Sequence, residues 1–426
     1  MSTNADLSTR PTFPAYSPFS PEQVNDPFAV FARARREAPI FYSPDLDMWV
    51  LTKYEDVRFV YENPETFSSS SVLSPRTGMP ASIAAEFEGW SLPMAKQVVM
   101  SDPPQHTRLK RLMMKAFTPG RVAQFEPWIR ETVYGLIDKF KDAGSGDLVQ
   151  LFTSFVPTDV IGRILGVPTQ DSRKFRKWVG DINLLAGTWD VTEEEQVGAW
   201  RGIRQFEEYA QKLVTERRKA PREDVLSYLI EATSEDGSPS LTNEEVVQNV
   251  LNLAGAGSDT SGNLIALTVY MLLQRPERWE EVSKNHSLIA GALEESMRYA
   301  CVVRGLVRRT TRPVEIGGMT IPQGNCVYIA LASANRDEDV FPNPDVYDMN
   351  RAGVRNHLGF GVGAHTCLGV SLARLECKTA ISALVERLPG LALADENIRL
   401  ELKKNIMAPG IKALPVKWSP GPLRVA

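Results

Sequence analysis

A capping box at Thr242 and Glu245 opens a helical period that continues to residue 274, just before Pro276. At about 1.5 Å per residue this element spans on the order of 45 Å, the width of a whole molecule of this size. Such a length suits a central helix, with the rest of the 426 residues packed around it. The helix is not a membrane span. Its apolar run is broken by Gly-Ser-Asp-Thr-Ser-Gly-Asn at 257–263, which hydrocarbon would not tolerate.

The remaining pattern predicts a mainly α chain with small β-sheets. Residues 1–25 carry Pro11, Pro14, Pro18 and Pro21 and read as an extended arm, without the basic and apolar regions of a signal peptide. Asp26-Pro27 reads as the N-cap and first turn of a helix that Pro39 stops. A hairpin of residues 40–42 and 48–52 follows, and 67–101, rich in Ser, Pro and Gly, reads as a long loop with at most a short helix. From 118 to about 233 helix follows helix with no strand signal. Beyond Arg298, residues 314–331 read as a small hairpin sheet, and the final helix begins near Leu368. No repeat or linker divides the chain, so 1–426 is expected to be one domain.

A net charge of -4, from 48 basic and 52 acidic residues, provides no field to attract nucleic acid or an anionic membrane. The four cysteines, Cys301, Cys326, Cys367 and Cys377, form no CxxC pair, and a chain of this length needs no disulfide staples. A reducing, cytoplasmic location is therefore expected.

The most informative stretch is 359–369, Gly-Phe-Gly-Val-Gly-Ala-His-Thr-Cys-Leu-Gly, directly before an amphipathic run. A cysteine at a helix N-terminus has its thiolate favoured by the helix dipole and by unpaired N–H groups. Gly361, Gly363 and Gly369 would let the backbone turn with positive φ and approach a flat ligand closely. A cysteine taken blindly is more often a small buried hydrophobe. Zinc would need about four ligands, and only His365 and Cys367 lie close together. A cofactor needing one protein ligand fits better, and haem held by a cysteine is the known case.

The pattern Phe360-x-x-Gly363-x-His365-x-Cys367-x-Gly369 resembles the haem-binding signature of the cytochrome P-450 superfamily, the haem-thiolate monooxygenases, and most closely its soluble bacterial members. The resemblance implies haem b (iron protoporphyrin IX) between a long central distal helix and a proximal loop and helix, with Cys367 on the metal and Phe360, Gly361 and His365 beside the cofactor. It places Ala256 and Gly257 on the distal face, where small residues leave room for dioxygen. Gly255 and Gly257 in a helix interior cost about 1 kcal/mol each and need a reason: close approach to a ligand, or a helix-packing notch. Asp259 and Thr260 match the family's acid and alcohol, the hydroxyl ordering distal water and the carboxylate relaying protons inward. His106, Lys110 and Arg308 match contacts to the haem propionates. Lys110 departs from the arginine usual there and lacks its bidentate fork, for which Arg108 or Arg111 could compensate. Glu295 and Arg298, joined by Arg351, match a structural triad that anchors the segment leading to the cysteine.

Arg108, Lys110, Arg111 and Lys115 form a basic stripe, either a solvated face or a docking surface for an acidic ferredoxin- or flavodoxin-type electron donor with its reductase. No flavin or iron–sulfur segment is visible, so electrons are expected from separate proteins, and the chain is expected to act as a monomer. The pocket is expected to draw on the 72–98 loop, 251–256, 302–307 and 406–408, mostly apolar segments that suit a small-to-medium hydrophobic substrate such as a terpenoid or aromatic compound. Ser69 to Ser71 with Arg76 read either as an anion anchor for a carboxylate or as solvated chain. Two other classes remain: a peroxide-using or rearranging haem-thiolate enzyme, which would more naturally lack the Asp259–Thr260 pair, and a non-catalytic haem sensor.

Overall fold

The computed structural model describes residues 10–73, 78–188, 191–233 and 240–420. Residues 10–20 of the arm pass through turns instead of running extended, the Tyr16 amide donating to the Phe13 carbonyl at 2.9 Å and the Ser20 amide to the Ser17 carbonyl at 3.1 Å. The arm then forms a short helix, α1 (Pro21–Asn25), because Ser20 accepts the Gln23 amide and Pro21 supplies a first-turn φ. Helix α2 (Phe28–Glu37) begins one residue later than the Asp26-Pro27 signal suggests, with Asp26 still accepting the Phe28 amide at 3.2 Å. The predicted hairpin is present as β1 (Ile40–Ser43) and β2 (Met48–Leu51). Helix α3 (Tyr54–Glu62) and strand β3 (Phe67–Ser68) precede a loop whose described residues form two 3-10 segments, Ala81–Phe87 and Val98–Met100.

Helices then follow in series: α4 (Gln105–Met114), α5 (Pro119–Gln124) and α6 (Glu126–Ile137). A strand interrupts the expected all-helical stretch, β4 (Ser145–Asp147). Ser-Gly-Asp carries no strand propensity; its partner is β10 (Pro415–Lys417), more than 260 residues away, so only the tertiary fold creates it. Next come α7 (Val156–Ile164), α8 (Ser172–Leu185), α9 (Glu193–Lys219) and α10 (Val225–Glu231).

The predicted central helix is α11 (Asn243–Leu273), 31 residues long, and both halves of its Thr242–Glu245 capping box are formed. It packs against α7, α8, α9, α13 (Leu288–Tyr299) and α15 (Val370–Arg387), with α12 (Pro276–Lys284) turning the chain between them. The apolar residues of these helices form one continuous core around α11. Among the described residues no helix is long and apolar enough to cross a membrane.

The β region is more divided than the sequence suggests. Strands β6 (Val314–Ile316) and β7 (Met319–Ile321) form a separate hairpin. Strand β8 (Cys326–Ile329) instead leaves them, and Leu331 enters the short helix α14 (Leu331–Ala334). Strand β8 lies parallel to β2 and antiparallel to β5 (Leu306–Thr310), giving a five-stranded sheet in the order β1-β2-β8-β5-β3. A second core lies on this sheet, where Phe13 and Tyr16 of the arm pack on Phe41. Strand β9 (Ala392–Leu393) completes the sheet of β4 and β10.

Candidate functional site

Cys367 lies in the loop before α15, whose first turn follows Gly369. The loop folds on itself: the Cys367 amide donates to the Phe360 carbonyl at 2.8 Å and the Gly361 amide to Leu358 at 2.9 Å. Gly361 and Gly363 adopt φ of 68° and 69°. A Cβ on Gly363 would stand 3.1 Å from the Tyr61 carbonyl, so this glycine admits close approach to α3 rather than to a ligand. Burial raises the Cys367 thiol pKa, while the Gly369 amide, Lys110 and Arg374 favour the thiolate.

Cys367 and α11 border the same cavity of about 400 Å³. Its lining includes Ala256, Gly257, Asp259 and Thr260 of α11 and Phe360, Gly361, His365 and Cys367 of the cysteine loop. Thr260 Oγ1 donates to the Ala256 carbonyl at 2.7 Å. The surface that Asp259 retains opens on the cavity; burial raises its carboxyl pKa, opposed by Lys403 and by the Asn183 side chain. The two glycines divide. A Cβ on Gly255 would come within 2.8 Å of Ile182 Cγ2 on α8, so Gly255 is a packing notch, whereas one on Gly257 would make ordinary contact with Ile161 at 3.6 Å.

At one edge His106 and Lys110 of α4 meet His365, with Arg308 of β5 behind them. The two imidazoles lie tilted by 35° with centroids 4.0 Å apart, and burial, aided by the neighbouring cations, pushes His106 down to about 4 and His365 to about 3. Arg308 is 3% exposed, and its one hydrogen bond goes to the Val307 carbonyl at 2.9 Å. Lys110 Nζ donates to the Thr366 carbonyl. Among the described residues neither cation has a carboxylate partner, and His106 Nδ1 is buried without an acceptor. Buried cations and donors without acceptors are costly unless an anion completes them.

Part of the serine run is engaged by neighbours within the fold. Ser68 Oγ and the Ser69 amide both donate to Asp102, and Ser69 Oγ lies 3.1 Å from His365 Nε2. Arg76 lies outside the described residues. The basic stripe is also partly engaged, since Arg108 pairs with Glu245, Lys110 turns inward and Lys115 Nζ donates to the Thr233 carbonyl.

Behind the cysteine loop, Arg298 holds Glu295 through two hydrogen bonds of 2.8 Å, and Arg351 Nε reaches the same carboxylate at 3.1 Å, which is the predicted triad. A second cluster was not foreseen. Glu294 accepts from Arg374 at 2.6 and 2.9 Å and faces His357 Nε2 at 3.0 Å. Burial alone would raise Glu294, yet His357 and Arg374 hold it at about 2. Its signal, two adjacent acids on one helix, carries no specificity. The cavity also takes in Ile182, Asn183, Leu185 and Ala186 of α8 and Ile203 of α9, which periodicity marks only as helical.

The family described as Cytochrome P450 matches residues 47–413. The chain belongs to the cytochrome P450 family. It is 36% identical over 375 residues to nocardicin C N-oxygenase of Nocardia uniformis subsp. tsuyamanensis, covering 87% of this chain and 90% of that protein. To cytochrome P450 monooxygenase PikC of Streptomyces venezuelae it is 35% identical over 404 residues, covering 93% and 92%. The Tepidiphilus thermophilus P450 heme domain superposes with a TM-score of 0.89 at 30% identity, covering 96% of this chain and 98% of that one. This P450 is thus an oxygen-incorporating oxidoreductase of the monooxygenase type that works with haem b, a small organic substrate, dioxygen and redox partners. Its donors fit that cofactor: one thiol opens on the cavity, and at one edge two unpaired cations and the orphaned His106 Nδ1 suit a dianionic group.

Proposed function

We propose that Cys367 ligates haem iron, that Asp259 and Thr260 manage protons opposite it, and that one oxygen atom enters a small-to-medium hydrophobic substrate, terpenoid or aromatic in class, by hydroxylation or oxidative dealkylation. The supporting observation is that Cys367 and the Asp259–Thr260 pair line one and the same cavity. Haem bound there supplies the redox chemistry that activates dioxygen.

Lys110, Arg308, His106 and His365 take the propionates, and Phe360, Gly361, Ala256 and Gly257 flank the ring. Thr260 Oγ1 has its own proton engaged by the Ala256 carbonyl at 2.7 Å, so its lone pairs are open to accept from a cavity water and hold it in place. Asp259, with its raised pKa, keeps a proton on its carboxyl at higher pH than a free acid and releases it inward along that water. Lys403, exposed on the outer side, favours the carboxylate that results. Electrons come from a ferredoxin- or flavodoxin-type donor with its reductase, docking on the α4 face where Arg111 is exposed.

Thr260→Ala tests this reading. Oxygen uptake driven by the donor should continue while product falls about tenfold or more and hydrogen peroxide appears. Unchanged coupling of electrons to product would overturn the assignment.

A further inference from the structure

Four carboxamides open onto the largely apolar cavity: Gln97, Asn183, Asn252 and Asn405. Among the described residues no lysine or arginine lines it except Lys110, which is tied to the Thr366 carbonyl beside Cys367. One of the amides is fully engaged and a second is turned to a neighbour. Asn405 Oδ1 accepts from the Met407 and Ala408 amides at 2.9 Å each and its Nδ2 donates to the Ala186 carbonyl at 3.0 Å. Asn183 is turned to Asp259, close enough to favour its carboxylate though its Nδ2 makes no formed hydrogen bond.

Asn252 and Gln97 remain. Asn252 is 8% exposed, the cavity is what it opens on, and its side chain has no hydrogen-bond partner among the described residues. Gln97, 6% exposed, donates Nε2 to the Pro93 carbonyl at 2.9 Å and leaves Oε1 without a partner among the described residues. The fold brings them together. The Lys96 amide donates to Gln248 Oε1 at 2.7 Å and the Val98 amide to Asn249 Oδ1 at 2.9 Å, stapling the backbone on both sides of Gln97 to α11 one turn before Asn252.

We propose that Asn252 and Gln97 form a neutral clamp for a hydroxyl oxygen at one end of an otherwise apolar substrate. The clamp rests on the reading of this cavity as the oxygenation site. A hydroxyl donates to Gln97 Oε1 and accepts from Asn252 Nδ2, completing both amides. A carboxylate would be desolvated there with no cation to meet it. Asn252 precedes Thr260 by eight residues, so the clamp lies about 12 Å along α11 from the oxygen-handling threonine. The bond that is oxidised therefore stands roughly that far from the anchored oxygen, near the opposite end of a chain of about ten carbons.

The test uses holoenzyme with 1-decanol, its methyl ether and decanoate, reading dissociation constants by calorimetry and by the haem Soret spin change. The wild type should bind the alcohol about tenfold tighter than the ether or the acid and oxidise it toward the far end. Asn252→Leu should abolish the preference and scatter the oxidised position while keeping ether affinity within about twofold. Asn252→Ser reads the same preference if the leucine variant does not fold. Equal binding of alcohol and ether, tightest binding of the acid, no binding of any of the three, or a preference that survives in both variants overturns the clamp. The ferrous carbon monoxide Soret band on the same samples separates the two levels: without a thiolate-type band the oxygenase reading itself fails, and with it only the clamp does.

Discussion

Glu295→Gln removes one charge from the most deeply buried ionic cluster of the fold, at nearly constant volume. Glu295 and Arg298 are both 0% exposed, and the carboxylate accepts from Arg298, from Arg351 Nε and from the Asp348 amide at 2.9 Å. The variant leaves two guanidinium groups with no counter-charge, and its own amide hydrogens face donors. Breaking a buried pair from one side costs about 3–5 kcal/mol. With unfolding entropy of roughly 2.1 cal/mol/K per residue, 426 residues give about 0.9 kcal/mol/K, so the melting temperature should fall by about 3–6 °C. Arg351→Lys keeps the charge and loses the fork, so it should fall less. Calorimetric melting of the three proteins, with Soret absorbance recorded alongside, measures both. A melting temperature for Glu295→Gln within 1 °C of the wild type would refute the claim that this triad anchors the segment leading to Cys367.

Glu376 is buried beside Ser261, and burial pushes its pKa up from 4.5 to about 8. A raised acid binds its proton more tightly when folded, so its stabilising share is complete below about 4.5 and is lost as pH rises to about 8, on the order of 5 kcal/mol in all. Glu376→Gln should therefore gain on the wild type in urea midpoint between pH 5 and pH 9, and an equal gap at both values would count against it. Gly255→Ala should cost about 1–3 kcal/mol through overlap with Ile182, while Gly257→Ala should be neutral or stabilising by up to about 1 kcal/mol. Urea unfolding of the pair checks this, and equal losses would contradict the packing-notch assignment. Arg308→Gln should speed haem transfer to apomyoglobin about tenfold or more, with Arg308→Lys between it and the wild type; an unchanged rate would place the propionates elsewhere.

The parts of the site legible in the sequence are those whose chemistry is local. Cys367 among glycines at a helix start can be read from spacing, while the family resemblance supplies Asp259 and Thr260, the Glu295–Arg298 pair and Arg351. What was not legible depends on partners distant in the chain. Strand β4 exists only because Pro415–Lys417 returns to it, and β8 leaves its sequence neighbours to pair with β2. Gly255 stood open between ligand space and a packing notch because nothing in the sequence shows Ile182 against it. The contacts of Ser68 and Ser69 could not be read from the sequence because their acceptor, Asp102, lies 34 and 33 residues on. The wall from α8 was invisible for the same reason: a helical period says which residues are buried, not which cavity they border.

The central claim is that the Cys367 thiolate holds haem opposite Asp259 and Thr260. The ferrous carbon monoxide spectra of the wild type and of Cys367→His, both loaded with haem, test it most directly. The wild type should show the band of thiolate-ligated haem and the variant the shorter-wavelength band of an imidazole ligand. An unchanged band in Cys367→His would contradict the account, because another residue would then be the ligand.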